Sequence, residues 1–268
     1  MRGIIMFLIG TLVVIAGTSI LLYEDEGEVI TIGASSGPFA DMATYALKPV
    51  LEEEGYTVEI IEYSDYIQPN NALANGDLDA NLFQNVLFME SYNEENDADL
   101  KNIVQVPTAP MGLYSSEFDS VEDIASGSEV ALPLDPVNSS RGFLTLQDAG
   151  LITISEDADM FAIEEADIID NKKNLEFIFQ DAGQLPRSVD QIGLSLVPGN
   201  FALASEMNLD DALTLENMNE YFRNQIVINK EDEGSKLEED LLNAVQSDEF
   251  NEVIDADFKG FDKPEEDE

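Results

Sequence analysis

The residues best suited to chemistry lie in the run Leu132-Pro-Leu-Asp135-Pro-Val-Asn138-Ser-Ser-Arg141-Gly142. Asp135-Pro136 places a turn after a short apolar strand, and Asn138 or Ser139 is suited to capping a helix whose first turn contains Arg141. A cation there opposes the helix dipole at a cost of about 0.3–1 kcal/mol, so an anion is expected beside it. Free backbone N–H groups and a guanidinium together make a carboxylate clamp. The plainer alternative is a surface arginine drawn to one of many acids, although the chain has only four arginines. A second group sets aromatics beside amides at strand ends: Glu62-Tyr63-Ser-Asp65-Tyr66, Pro69-Asn70, then Ala80-Asn81-Leu-Phe83-Gln84-Asn85 and Phe88. Such residues can build a pocket with an apolar wall and a few fixed polar groups, although by residue type alone Tyr and Phe at this spacing are more often core.

Composition narrows the chemistry. The 268 residues carry 12 Lys+Arg against 56 Asp+Glu, a formal charge of −44, with no His, Cys or Trp. That excludes imidazole bases, thiol nucleophiles, disulfides and His- or Cys-ligated metals. A field this negative repels phosphate backbones, so no nucleic-acid partner is expected. Asp77 and Asp79 alternate along a strand and lack a third ligand at EF-hand spacing, so they read as structural, and neither metal nor cofactor is expected. Arg187 in Gln184-Leu-Pro-Arg187 reads as a structural ion pair. The acidity fits either a high-salt surface or a protein facing the outside of the cell.

The elements that must position these residues follow from periodicity. Short apolar runs alternate with amphipathic stretches from Glu28 onward, the rhythm of an α/β protein with mainly parallel sheets. Strands are expected at Val29–Ile32, Thr57–Tyr63, Ile103–Pro107, Met111–Tyr114, Glu129–Leu132, Leu175–Phe179, Leu194–Val197 and Asn224–Ile228, and helices at Phe39–Glu54, Ser139–Ala149 and Ser235–Gln246. The prolines between Ile103 and Met111 mark a first passage between two lobes, and Asn224 begins the return. Residues 28–110 and 225–268 then form one lobe and 111–224 the other, with a charged tail from Asp262. Ile4 to Tyr23 carries no charge, follows Arg2 and precedes Glu24-Asp25-Glu26. About 20 apolar residues span a bilayer, so 1–27 reads as a membrane anchor with its carboxyl side outside, or as a signal cleaved near Ala16–Ser19.

Three stretches resemble a known family. Asp65-Tyr66-(x2)-Pro69-Asn70-x-Ala72-Leu73-(x2)-Gly76-Asp77-Leu78-Asp79-Ala80-Asn81-x-Phe83-Gln84, then Val130-Ala-Leu-Pro-Leu-Asp135-Pro-x-Asn138-(x2)-Arg141, then Gln184-Leu-Pro-Arg187-Ser188, are similar in order and spacing to the methionine-binding lipoproteins of bacterial ABC importers, from Glu28 to about Phe258. The resemblance implies a two-lobed periplasmic-binding-protein-like fold of type II, with two hinge crossover strands. It implies a monomeric extracytoplasmic receptor, not an enzyme, that closes on L-methionine or a related amino acid or peptide and delivers it to a permease and its ATPase. It places the ligand carboxylate on Arg141 with Asn138 beside it, the thioether among Tyr63, Tyr66, Phe83 and Phe88, and the polar end on Asn224, with Asn81, Asn85 and Asn200 in the same motifs. Asn85 stands where the family usually has His, Pro198-Gly-Asn200-Phe-Ala202 lacks the first asparagine of the family's Asn-x-Asn segment, and no cysteine is present to carry the usual lipid. A surface adhesin of the same fold and a carboxylate-dependent hydrolase are the alternative functions.

Overall fold

The computed structural model describes residues 27–264. The apolar segment Ile4–Tyr23 lies outside them, and no described helix is long and apolar enough to cross a membrane. Strand β1 (Val29–Ser35) buries Ile30, Ile32 and Ala34 at alternate positions, as a pleated strand must. It turns at Gly37 (φ 88°), where an added Cβ would lie 2.7 Å from the Ala204 Cβ, into α1 (Pro38–Met42). The helix passes through a π-helical turn (Ala43–Leu47) into α2 (Lys48–Glu53). Pro49 explains the widened turn: it has no N–H and would press on the carbonyl one turn back, which an ordinary α-helix does not relieve. Strand β2 (Thr57–Tyr63), helix α3 (Gln68–Ala74), strand β3 (Ala80–Asn85), helix α4 (Val86–Asn96) and strand β4 (Leu100–Gln105) follow.

The chain then crosses to a second sheet. There lie β5 (Gly112–Ser115), β6 (Glu129–Pro133), α5 (Pro136–Asp148), a ribbon of β7 (Ile152–Ile154) and β8 (Ile168–Asn171), β9 (Glu176–Gln180), α6 (Leu185–Ile192), β10 (Leu194–Val197), α7 (Gly199–Ala204) and β11 (Thr214–Leu215). It returns as β12 (Asn224–Asn229), then α8 (Lys236–Gln246) and α9 (Asp248–Asp257). The first sheet has the order β2-β1-β3-β12-β4 and the second β11-β5-β10-β6-β9. β1 is parallel to β2 and β3, whereas the returning β12 runs antiparallel to β3 and β4. Each sheet has its own core: Ile32, Leu82 and Ile226 under Leu241, Phe250 and Ile254 in the first, and Leu132, Phe143, Leu146 and Leu196 in the second.

The expected strands and helices are present with end shifts of a few residues, the helix expected at Phe39–Glu54 being interrupted by the π-helical turn; the β7–β8 ribbon, α6, α7, β11 and α9 were not expected. Asp79 is structural, pairing with Thr31 through a side-chain bond of 2.7 Å and a backbone bond of 2.9 Å. Arg187 is exposed and makes no ion pair among the described residues, so the expected pairing is corrected. Asp262 is more than the start of a tail. Its backbone exchanges two 2.9 Å bonds with Thr108 on the outgoing crossover, and its carboxylate accepts from Arg223 on the returning one. Thr108 Oγ1 also accepts the Asn224 N–H at 2.8 Å. The two crossings are thus stitched together side by side.

Candidate functional site

Helix α5 begins earlier than expected. Asp135 is its N-cap, with Oδ1 accepting the Asn138 N–H at 2.9 Å and both carboxylate oxygens accepting the Asn138 amide at 3.0 and 3.1 Å. Pro136 takes the first helical position, where its missing N–H costs nothing. Arg141 therefore lies in the second turn, and the first-turn N–H of Asn138, one of those expected to serve a clamp, is already taken by the cap. Burial pushes the Asp135 carboxyl above the usual carboxylate range, against the opposing pull of Asn138 and Arg141.

The anion expected beside Arg141 belongs to the protein. Glu216, just after β11, accepts from Arg141 Nε at 2.8 Å and from Nη2 at 2.6 Å, and Asn138 Oδ1 accepts from Nη1 at 2.9 Å. Both side chains are deeply buried, 6% and 4% exposed. Burial alone would lower the guanidinium pKa, but Glu216, helped by Tyr66 and Asp135, more than offsets it and the value is raised. Phe222 covers the group from behind, its ring centroid 5.5 Å from Arg141 Cζ. A guanidinium has five N–H groups; described residues engage three of them, which leaves two on a side chain that lines the neighbouring gap.

That gap is a small cavity of about 10 Å³, room for about one water. Eight of the ten expected site residues line it: Tyr66, Phe83, Asn85, Phe88, Asn138, Arg141, Asn200 and Asn224. The strand ends and helix starts of both sheets bring them together, with Phe39, Gln84, Thr108, Ala109, Pro198 and Gly199 completing the wall. Tyr66 stands 5.7 Å from Phe83, 5.9 Å from Phe88 and 5.0 Å from Phe201, ring centre to ring centre, which makes one aromatic wall. Burial pushes the Tyr66 hydroxyl far above the ordinary phenol range, so it stays a donor, here to Asn200 Oδ1 at 2.7 Å. The other end of the Asn200 amide donates to Ser35 Oγ at 3.3 Å. Asn224 Nδ2 donates to the Phe83 carbonyl at 2.8 Å, and no described residue donates to its Oδ1.

Tyr63 and Asn81 are not brought to the cavity. Tyr63 ends the edge strand β2 and packs with Leu73 and Leu78, over the space that Gly33 leaves. Asn81 is spent on a buried amide network: its Nδ2 donates to Asn70 Oδ1 at 2.9 Å, its Oδ1 accepts from Gln84 at 3.0 Å, and Asn70 and Gln84 exchange bonds of 2.7 and 2.6 Å. This network fixes the strand end that carries Phe83 and Asn85. Asn70→Ala leaves several buried amide groups unpaired, and a loss of about 2–3 kcal/mol is expected in urea unfolding. A loss under about 0.5 kcal/mol would show that the network is dispensable. Glu216 and Phe222 were not legible: one carboxylate among 56 and one Phe among 14 carry no pattern that marks them as neighbours of Arg141.

Comparison with known proteins gives the family and the overall fold. The NlpA lipoprotein family model matches residues 30–265. The D-methionine-binding lipoprotein MetQ of Salmonella typhi is 32% identical over 240 residues, covering 88% of both proteins. Among solved structures, the methionine-binding protein MetQ aligns with a TM-score of 0.83 at 30% identity, over 88% of this chain and 98% of that one. A nutrient-binding protein from Burkholderia cenocepacia bound to methionine aligns with a TM-score of 0.81 at 33% identity, over 86% and 97%. The two-sheet architecture is that of these periplasmic-binding-protein-like neighbours. On the strength of a match that spans both sheets and every strand of the cavity wall, the chain belongs to the NlpA lipoprotein family.

Proposed function

We propose that this protein is the extracytoplasmic receptor of an ABC importer and that it traps methionine or a related small amino acid between its two sheets. The observation that carries the reading is Arg141: a deeply buried guanidinium with two N–H groups to spare, beside an aromatic wall, in a gap both halves line. The carboxylate takes those N–H groups, with Asn138 holding the guanidinium in place. The apolar end meets Tyr66, Phe83 and Phe88, and aromatic edges attract a thioether by about 0.3–1.5 kcal/mol. No bond is made or broken. The methionine-binding relatives supply the ligand class.

A cavity of about 10 Å³ is too small for an amino acid, so binding requires the halves to part and then to meet around the ligand less tightly than they do here. The moving bodies are the lobes 28–110 with 225–268, and 111–224, of a type II receptor hinged at the paired crossings. The closed form is what a permease and its ATPase read, because only a ligand touching both halves shifts the balance towards it. With no cysteine in the sequence to carry a lipid, the apolar segment within 1–27 is the tether.

Calorimetric titration with L-methionine, D-methionine and methionyl dipeptides tests this. Heat and a raised melting temperature are expected with at least one of them, and none with any of them rejects the receptor reading. Tyr66→Ala removes the centre of the aromatic wall and should weaken binding about ten- to a hundredfold. Unchanged affinity in that variant would move the ligand away from the wall.

A further inference from the structure

The surroundings of Arg141 carry more than a binding point for a carboxylate. Glu216 takes the Nε and Nη2 side of the guanidinium. It is itself held in place, since Oε2 also accepts the Met111 N–H at 2.9 Å and its own N–H donates to the Met111 carbonyl at 2.8 Å. The one cation of the cavity wall is therefore already neutralised before any ligand arrives. No other Lys or Arg among the described residues lines the gap, and Asp135 adds a further carboxyl close by. The chain as a whole carries a formal charge of −44, so the long-range field offers an extra anion no relief.

A carboxylate placed on the two spare N–H groups thus adds a negative charge to a buried site that is electrically balanced. A buried charge without a partner is heavily penalised. The penalty falls away when the ligand brings its own positive charge a few atoms from its carboxylate. An acceptor for that charge is present, because Asn224 turns its Nδ2 to the Phe83 carbonyl and leaves Oδ1 without a donor from any described residue, on the cavity wall.

We propose that Glu216 is a specificity-determining residue that restricts the cavity to zwitterions: free amino acids bind, whereas N-acylated or amine-less carboxylates of the same shape are rejected. This rests on the amino-acid receptor reading. Glu216 acts through Arg141 and not by touching the ligand, and what it sets is the net charge the ligand must have.

The test is titration of the full chain with L-methionine, N-acetyl-L-methionine and the corresponding 2-oxo acid. In the wild type, the two anions should bind at least about a hundredfold more weakly than the zwitterion. Glu216→Gln keeps the shape and an acceptor oxygen but removes the charge. It should narrow that gap at least about tenfold, with N-acetyl-L-methionine binding more tightly than it does to the wild type. Loss of scaffolding alone would weaken every ligand and raise none. Glu216→Asp keeps the charge and should keep the discrimination while weakening both kinds of ligand. Equal wild-type affinity for the free and acylated forms overturns the proposal and leaves the receptor reading standing, as does an unchanged ratio in folded Glu216→Gln. If Glu216→Gln does not fold, the wild-type ratio and its persistence in Glu216→Asp decide the matter. No heat with any probe in the wild type overturns the receptor reading, and this proposal with it.

Discussion

Arg141→Ala should abolish methionine binding and cost about 3–5 kcal/mol of stability, because two separate roles of one side chain are lost together. The binding loss is that of a charge-assisted anchor in a dry site, worth about 4 kcal/mol or a thousandfold in affinity. The stability loss arises on the other side of the guanidinium. Glu216, 4% exposed, would keep only the Met111 N–H as a partner, and Asn138 Oδ1 would lose its donor. Calorimetry and urea unfolding read the two effects independently. Truncating Glu216 as well should recover part of the stability and none of the binding, since an absent buried pair is far better tolerated than half of one. Wild-type affinity in Arg141→Ala would refute the anchor, and wild-type stability would refute the buried pair. Arg141→Lys should fail at binding too, since a point charge cannot serve Glu216 and a ligand along two edges at once.

Raising sodium chloride from about 0.05 to about 2 M should raise the melting temperature by about 10 °C. Unpaired charge is again the cause, spread this time over the surface. The sequence has 56 acids against 12 bases, and the ion pairs of the described residues engage only seven of those acids: Glu52, Glu216, Glu233, Glu238, Asp240, Asp255 and Asp262. Most carboxylates therefore repel one another with no local cation, which destabilises the compact state. Screening shortens the range of that repulsion from about 10 Å at 0.1 M to about 3 Å at 1 M. Chloride is the anion to use, since sulfate would strengthen apolar burial as well. A flat melting temperature would show that the acids are spaced widely enough not to interact. It would also count against a high-salt origin for the composition.

Legibility in the sequence followed locality. Strands such as β1, with Ile30, Ile32 and Ala34 alternating, and α8, with Leu237, Leu241 and Val245 at helical spacing, declare themselves within a few residues. The site residues on strand ends and helix starts were legible for a second reason, the resemblance of their motifs. Within those motifs the reading went too far at Tyr63 and Asn81, since motif membership does not say whether a side chain lines the gap or supports the wall behind it. The cap of α5 was misplaced by three residues because Asp, Asn and Ser are all good caps and all were present. Partners distant in sequence stayed hidden. Glu216 lies 75 residues from Arg141, and nothing local marks which of many carboxylates will fold back upon it.

Asn200 spans the gap with both ends of its amide satisfied, by Tyr66 on one side and Ser35 on the other. In the receptor proposed above, any parting of the halves must break this clasp of two bonds. A measured dissociation constant would then include the cost of breaking them, and adding up a cargo's contacts would overstate how tightly it is held. Weakening the clasp, at a cost to the resting shape, would make the same cargo easier to admit.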